Sequence, residues 1–478
     1  MGHPSVHPTG TTVYKPEKCY NGYTIYSAKD HGAVLVDMNG NAVHVWKDLH
    51  GFPNKLLPGG QVFGSLGVRD PLYGYQDQLD LVQVDWDGNI VWKFDKLEYI
   101  EDEGEKPQWM ARQHHDFQRE GNTVGYYVPG MECKLDSGNT LILCHHDVVN
   151  KRISDKKLVD DCFIEVDWEG NIVWRWNCNE HFNELGFDET AKNALYRSPN
   201  VKVTGQGDWM HINSMSVLGP NKWYDAGDER FHPDNIIWDG RETNICAIIS
   251  KETGKIVWQV GPDYTQTEAL RKLGVIIGQH HCHMIPKGLP GEGNILVYDN
   301  GGWGGYGAPS QTSVRGQKTA IRDYSRVIEF NPVTLEVVWE FNAGKLGHVM
   351  PIQANWFYSP FVSSAQRLPN GNTLITEGSE GRLLEVTPEY EIVWEYINPY
   401  LHEQQYVYRA YRYPYDYVPQ LPKPEEVAIE PVDNNTFRLP GAGEYGFKEV
   451  VTVEGTIGYG KRGDMCIDED KPETAETK

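Results

Sequence analysis

Apolar and polar positions alternate along this chain in short segments, and the segments recur. Two such segments meet at an acidic-Gly-Asn turn in residues 81–92 and again in residues 163–174, and both copies end in Val-Trp. Two alternating strands joined by a tight turn predict a β-hairpin. Six copies of the Val-Trp ending follow one another, at Val45-Trp46, Val91-Trp92, Val173-Trp174, Val257-Trp258, Val338-Trp339 and Val393-Trp394.

A second unit precedes several of these hairpins, and it also consists of a strand, a Gly-Asn turn and a strand. It occupies residues 134–143, 286–298 and 367–375. Joined to the Trp hairpin, it makes four antiparallel strands, which is one blade of a propeller; the shortest complete copy runs from about 366 to 396. The pattern therefore predicts an all-β protein, a six-bladed β-propeller whose indoles pack between blades.

The repeat also predicts the domain organisation. We expect an N-terminal arm at 1–20, one propeller at 21–421, and a C-terminal extension at 422–478 with an acidic, disordered tail. Most intervals between the repeated Trp residues are longer than the roughly 40 to 50 residues of a compact blade. The surplus predicts long loops on a rigid ring, where function usually lies.

Charge and composition narrow the partners. The formal net charge is −23, from 67 acidic and 44 basic side chains, which would repel nucleic acid and anionic membrane surfaces. No apolar run approaches the ~18 residues of a membrane span. The start resembles no signal peptide, which predicts a cytoplasmic protein, or a periplasmic one if a leader has been removed. The eight cysteines lack metal-ribbon spacing and are expected to be mostly free thiols. A homo-oligomer stays open.

Histidines cluster where blades begin. The four clusters are residues 113–116, 144–147, 208–214 and 278–283. The start of an innermost strand lies at one mouth of a propeller channel, so we expect histidines of different blades to converge there on a small, aromatic substrate. The alternatives are that the histidines only cap strand ends, or that the propeller is a non-catalytic scaffold.

Two chemistries suit such a mouth. Neutral imidazole can act as nucleophile or general base near neutral pH, with Arg322 or Arg326 holding an anionic group, although either Arg could instead pair with Asp323 or with a carboxylate of a neighbouring blade. The second chemistry is a transition metal, iron, copper, zinc or nickel, in a lyase, hydrolase or oxidoreductase. Its predicted ligands are His115, His211, His281 and His283.

Four motifs carry a resemblance to a known family. They are Asp-Trp-Met-His-Ile-Asn-Ser at 208–214, Gln279-His280 followed by residues 294–301, residues 324–330, and residues 365–374. In this order they resemble the bacterial arylsulfotransferase family. The resemblance implies a six-bladed propeller that transfers a sulfuryl group from an aryl sulfate to a phenol through a transient sulfohistidine, without a cofactor.

The resemblance also implies roles for residues of this chain. His211 and His280 match the family's motif histidines, and one of His211, His280 or His348 would be the nucleophile and another the acid or base. We expect Trp209, Asn213 and Tyr324 to bind substrate. The chain departs from the family pattern after Asp-Asn-Gly, where Gly302 and Trp303 replace an Arg. Arg322 or Arg326 would then hold the sulfate.

Overall fold

The computed structural model describes residues 9–28, 31–202, 205–400 and 406–431. Six sheets, each built on four antiparallel strands, follow one another around a ring, which confirms the predicted all-β, six-bladed propeller. We number the blades in chain order and give each from its innermost to its outermost strand. Blades 1 to 3 are Ala410–Tyr413, Tyr23–Ala28, Gly32–Val36, Ala42–Trp46; Lys55–Leu57, Gln61–Gly64, Leu81–Val84, Ile90–Phe94; and Gln113–Arg119, Thr140–Val148, Leu158–Val166, Ile172–Asn177.

The remaining blades follow the same plan. Blades 4 to 6 are Ile212–Val217, Ile236–Gly240, Ile245–Ile249, Ile256–Val260; His280–Met284, Ile295–Asp299, Arg326–Phe330, Val337–Phe341; and Ser364–Arg367, Thr373–Glu377, Arg382–Val386, Ile392–Ile397. The long loops carry two extra hairpins, Glu98–Ile100 with Gln108–Met110 and Trp303–Tyr306 with Gln317–Ile321. They also carry a short strand, Gly207–Asp208, that pairs with blade 3, and the helices Glu189–Arg197, Lys222–Asp225 and Glu268–Leu273. The 3-10 turns are Cys178–Glu184, Glu229–Phe231, Ala343–Leu346, Ala354–Trp356, Gly378–Glu380 and Tyr415–Tyr417.

The ring is closed twice. Blade 1 takes its innermost strand, Ala410–Tyr413, from the far end of the described chain. Blade 6 takes a fifth, outermost strand, Gly10–Tyr14, from the segment predicted as an N-terminal arm. Ile429, in the predicted C-terminal extension, pairs with Tyr14 through backbone hydrogen bonds, whereas the predicted acidic tail from 432 onward lies outside the described residues.

The repeated Trp side chains tie each blade to the next. In each blade, the indole nitrogen on the fourth strand donates a hydrogen bond of 2.8 to 3.1 Å to a backbone carbonyl in a turn of the following blade. The last of these bonds, from Trp394 to the Met38 carbonyl, joins blade 6 to blade 1. The six donor and acceptor pairs are Trp46 with Asp85, Trp92 with Trp168, Trp174 with Lys251, Trp258 with Pro332, Trp339 with Pro388, and Trp394 with Met38.

Two further observations bear on the sequence predictions. Within the described ranges, no helix combines the length and the apolar character needed to cross a membrane. The seven cysteines of those ranges are all free thiols, and five of them are buried.

Candidate active site

A cavity of about 400 Å³ lies over the N-terminal ends of the innermost strands of blades 3, 4 and 5. Three imidazoles, one from each of these blades, line it: His115, His211 and His280. The other lining residues are the charged side chains Lys202, Arg241, Glu242 and Lys318, the aromatic side chains Phe52, Tyr75, Trp303, Phe361, Tyr406 and Tyr408, and Gln76 and Val362. Histidines that lie far apart in the sequence therefore meet in one cavity, at the N-terminal end of these innermost strands.

A repeated backbone irregularity turns histidines toward this end. His115, His211 and His281 have φ angles of 55, 52 and 56 degrees, in the left-handed region that residues other than glycine seldom adopt. Each accompanies a register shift at or just before the first residues of an innermost strand. Bulges of this kind re-aim side chains beside functional sites. In blades 3 and 4 the positive-φ histidine itself lines the cavity, and in blade 5 the preceding residue, His280, does so.

His211 forms a buried dyad with Asp208. The Nδ1 atom of His211 lies 2.7 Å from Oδ2 of Asp208, so Nδ1 carries a hydrogen and Nε2 is the atom that can release or take up a proton. Burial alone would raise the pKa of Asp208, but His211 and Lys202 hold it well below its usual value. The carboxylate is therefore ionised and can compensate a positive charge that forms on His211.

His280 is held in one tautomer by an amide. The Nδ2 atom of Asn300 donates to the carbonyls of Ser359 and Val362 at 2.7 and 2.8 Å, so its Oδ1 atom must face His280. Oδ1 of Asn300 lies 2.8 Å from Nδ1 of His280. Nδ1 must therefore donate, which leaves the lone pair on Nε2. Burial, and next the charge of Arg241, lower the pKa of His280 well below its usual value, so the ring is neutral.

His115 completes the group of imidazoles. Its ring centroid lies 4.8 Å from that of His211 and 5.5 Å from that of Tyr408. Its Nδ1 atom lies 2.7 Å from Nδ1 of His114, whose ring stacks on His145 and does not line the cavity. Burial, and next the charge of His211, lower the pKa of His115 well below its usual value.

Cationic side chains make the cavity suitable for an anion despite the acidic protein. The Nζ atom of Lys202 lies 3.6 Å from Oδ2 of Asp208 and 4.5 Å from the ring centroid of Tyr75. Arg241 pairs with Glu242 at 2.7 Å. Lys318 is the third cation of the wall. Three cations thus face one carboxylate among the lining residues.

The departure from the family pattern after Asp-Asn-Gly has a structural reason. A Cβ atom at Gly302 would come within 2.1 Å of the Pro360 carbonyl oxygen, so no side chain fits there. Trp303 follows and lines the cavity, with the Arg241 guanidinium 4.8 Å and the Lys318 ammonium 5.2 Å from its ring centroid. Arg241 and Lys318, which come from other segments, therefore stack on Trp303. Trp303 lies close to the position at which the family pattern has an Arg.

Aromatic residues supply the apolar part of the wall. Phe52 and Tyr408 lie 4.6 Å apart between ring centroids, and Tyr408 donates its hydroxyl to the backbone oxygen of Asn213 at 3.0 Å. Tyr406 and Tyr408 come shortly before Ala410–Tyr413, the innermost strand of blade 1, and both line the cavity. The wall can therefore accept a planar ring beside an anionic group.

Three of the predicted catalytic residues do not reach the cavity. Arg322 and Arg326 both bind Asp299, each at 2.7 Å, and so hold the second and third strands of blade 5 together. His348 stacks on Trp356 with ring centroids 4.5 Å apart, in the segment between blades 5 and 6. The structure therefore brings together His211 and His280 of the predicted catalytic set, and not the other three.

The predicted substrate-binding residues do not line the cavity. Trp209 is fully buried and donates its indole nitrogen to Asp160 at 2.9 Å. Asn213 donates its side-chain amide to the Gln279 backbone oxygen at 2.8 Å. Tyr324 packs against the Arg322 guanidinium, 4.6 Å from its ring centroid. None of the three is among the residues that line the cavity.

The four predicted metal ligands are divided between two places. His115 and His211 line the cavity, whereas the rings of His281 and His283 lie 4.4 Å apart and face Tyr126 deeper in the channel. They form no common ligand set in the described part of the chain. Sequence reasoning also missed Lys202, Arg241 and Lys318. Only Arg241 had a usable signal, because it directly follows the second strand of blade 4.

Known proteins show which fold and which family this chain resembles. Solved propellers that it resembles include a protein of unknown function from Bacteroides caccae (11% identity, 82% of this chain and 98% of that chain, TM-score 0.42). Another is virginiamycin B lyase from Staphylococcus aureus (10%, 83% and 87%, 0.34). Identities and TM-scores of this size say nothing about activity. No curated protein matches the chain. The model of the arylsulfotransferase (ASST) family matches residues 131–407, more than half of the sequence, and the chain therefore belongs to that family.

Proposed function

We propose that this protein transfers a sulfuryl group from an aryl sulfate to a phenolic acceptor, with His280 as the nucleophile and His211 as the acid and base. The observation that carries the proposal is the meeting of these two family-motif histidines in one cavity with cations and aromatic rings. Family membership supports the reaction class.

The wall suits both halves of an aryl sulfate. Lys202 and Arg241 would hold the sulfate oxygens, since charged donors in a buried site bind oxyanions strongly. Tyr408, Phe52 and Trp303 would hold the aryl ring. A cavity of about 400 Å³ has room for a small aromatic molecule.

In the first step, the Nε2 lone pair of His280 attacks sulfur. The nitrogen–sulfur bond forms as the bond between sulfur and the aryl oxygen breaks, and the departing oxygen takes a proton from protonated His211. Asp208, 2.7 Å from Nδ1, stabilises the imidazolium of His211 before that transfer. The products are a phenol and a sulfohistidine at position 280.

The second step reverses the first with another phenol. Its hydroxyl gives a proton to Nε2 of His211, and its oxygen attacks sulfur while the nitrogen–sulfur bond breaks. His280 returns to its neutral form, which the amide oxygen of Asn300 holds in place. Charges and protons balance over the cycle, and every group that moves a proton belongs to this chain.

The test is transfer from a chromogenic aryl sulfate to a phenol, with mass spectrometry of the protein quenched without acceptor. We expect ping-pong kinetics and a gain of one SO₃ group on His280. His280→Gln should abolish both, and His211→Gln should slow both steps. His348→Gln is the matched control, because that residue stacks on Trp356 away from the cavity.

Two results would count against the proposal. Normal turnover by the His280→Gln protein would remove the nucleophile assigned here. Loss of activity in His348→Gln with full activity in His280→Gln would move the chemistry to the segment between blades 5 and 6.

A further inference from the structure

A second group of buried polar atoms lies behind the cavity in blade 3. It consists of His114, His145 and Asp161, which are 0%, 1% and 0% exposed. The two imidazoles stack with centroids 3.5 Å apart and planes 16 degrees apart. Their Nε2 atoms lie 3.3 Å (His114) and 3.7 Å (His145) from Oδ1 of Asp161. All three atoms lie within 4.8 Å of one another.

These three atoms share a second property, which is that none of them has a hydrogen-bond partner. The neighbouring Asp160 shows the contrast, because it accepts bonds from His146, Trp209 and Asn179. Among the described residues, no Lys or Arg forms an ion pair with Asp161. A buried carboxylate and two buried ring nitrogens without partners are costly, and such a group calls for a cation.

The surrounding hydrogen bonds determine which of these atoms keep a free lone pair. Nδ1 of His145 lies 2.7 Å from Oδ1 of Asp77, a carboxylate that also pairs with Arg112. Since Nδ1 of His145 donates to that carboxylate, its Nε2 atom carries a lone pair. Oδ2 of Asp161 accepts a bond from the backbone of Ile212, which leaves Oδ1 facing the imidazoles.

We propose that His114 Nε2, His145 Nε2 and Asp161 Oδ1 bind one divalent transition-metal ion. Two ligands bound at ~2.1 Å in tetrahedral geometry are about 3.4 Å apart, which the two Nε2–Oδ1 distances of 3.3 and 3.7 Å match. Because the two rings stack, one of them would turn to aim its lone pair at the ion. Two imidazoles and one carboxylate suit zinc, cobalt or iron(II) rather than calcium or magnesium, which prefer oxygen ligands.

The outer contacts are those of a metal site. A carboxylate that accepts from the second nitrogen of a ligating imidazole, as Asp77 does for His145, orients the ring and raises its basicity. For His114 the corresponding partner is Nδ1 of His115, at 2.7 Å. A cation on Nε2 of His114 would leave its Nδ1 hydrogen to be donated to His115. His115 would then carry its own hydrogen on Nε2.

The ion would thus act on the cavity from behind. The ion does not contact substrate in this arrangement. It is held by His114 and Asp161, and His114 in turn positions His115 through the contact between their Nδ1 atoms. Binding of this ion does not depend on sulfuryl transfer, and metal content and coordination can be measured without any activity.

The experiment uses the full chain, produced without a metal-affinity tag in medium supplemented with Co²⁺, so that a buried site can fill during folding. Metal analysis should give one Co²⁺ per chain, and X-ray absorption should show two imidazole ligands. Asp161→Asn and His145→Asn should weaken retention against a chelator by more than the ~100-fold that loss of an outer partner can cost. His283→Asn, an equally buried histidine outside the group, is the control and should retain the ion.

Three results would overturn the proposal. One is a wild-type protein that folds without stoichiometric Co²⁺ or Zn²⁺. Another is metal that stays bound at full occupancy in Asp161→Asn. The third is an absorption spectrum without imidazole ligands, which decides the matter even if the variants fail to fold.

Discussion

Replacing Trp394 by Phe tests whether the indole bonds hold the ring of blades together. Trp394 is fully buried, and its indole nitrogen donates to the Met38 carbonyl at 2.8 Å, which joins the last blade to the first. Phe would leave that carbonyl without a partner, at a cost of ~1–3 kcal/mol. It would also weaken the contact with the Arg412 guanidinium, 4.5 Å from the indole centroid, by about 0.5–1 kcal/mol. Together these losses predict ~1.5–4 kcal/mol of destabilisation.

The matched comparison is Trp339→Phe. That indole makes the equivalent bond to the Pro388 carbonyl at 3.1 Å, but the bond is exposed. Water can replace the lost donor there, so the expected cost is below ~1 kcal/mol. Unfolding in urea should be followed by far-ultraviolet circular dichroism, because removal of a Trp changes the fluorescence signal itself.

The difference in stability between the two variants tests whether burial strengthens the indole bond. Equal destabilisation by Trp394→Phe and Trp339→Phe would mean that burial of the bond does not set its worth. No destabilisation by either would mean that the blades are held by apolar packing alone.

Three further predictions concern the cavity and the channel. Asp208→Asn should lower turnover of aryl sulfate by about 10²–10⁴-fold with little change in folding, because the carboxylate that orients His211 and supports its charge is lost. Lys202→Met should raise the KM for the aryl sulfate and leave the KM for the phenol unchanged. The protein should lose stability as the pH falls from about 6.5 toward 4, because burial lowers the pKa of His283 to about 4 and the unfolded chain, whose histidines titrate near 6.5, takes up the proton first. His283→Gln should make that dependence less steep by the share of one histidine, since burial also lowers the pKa of His115 and His280; the measurement is the urea midpoint against pH.

Each of these has a contrary outcome. Full turnover by Asp208→Asn would separate the dyad from catalysis, and a raised KM for both substrates in Lys202→Met would indicate general damage to the cavity. A urea midpoint that is unchanged between pH 6.5 and 4 would mean that His283 is charged or solvated in the folded protein.

The fold could be predicted from the sequence because its signal is local and repeated. Alternation and a tight turn predict the two strands of each Trp hairpin, so six copies predict six blades. Ring closure carries no such signal. The pairing of Gly10–Tyr14 with blade 6 joins segments almost 400 residues apart, and nothing within residues 1–20 distinguishes a strand from an arm.

The site could be predicted where a family motif or a histidine cluster indicated it. His211 and His280 lie in family motifs, His115 and His211 lie in histidine clusters, and the structure brings all three histidines to one cavity. Arg322 and Arg326 were expected to hold an anion, but the buried carboxylate of Asp299 takes both, since a buried charge must be paired. The alternation of the strand also could not show which of the two neighbours, His114 or His115, faces the cavity. The positive φ of His115 breaks the two-residue period, so one ring enters the cavity and the other the interior.

The way the ring closes sets the order in which the cavity can be built during synthesis. Tyr406 and Tyr408 stand immediately before Ala410–Tyr413, the strand that completes blade 1. Once residues up to 400 have left the ribosome, blades 2 to 6 can be complete, but blade 1 still lacks its innermost strand. Its open inner edge is then prone to pair with other chains. The cavity wall and the last strand then arrive together. A newly made chain therefore completes its cavity in the same step in which it covers its last unpaired strand edge.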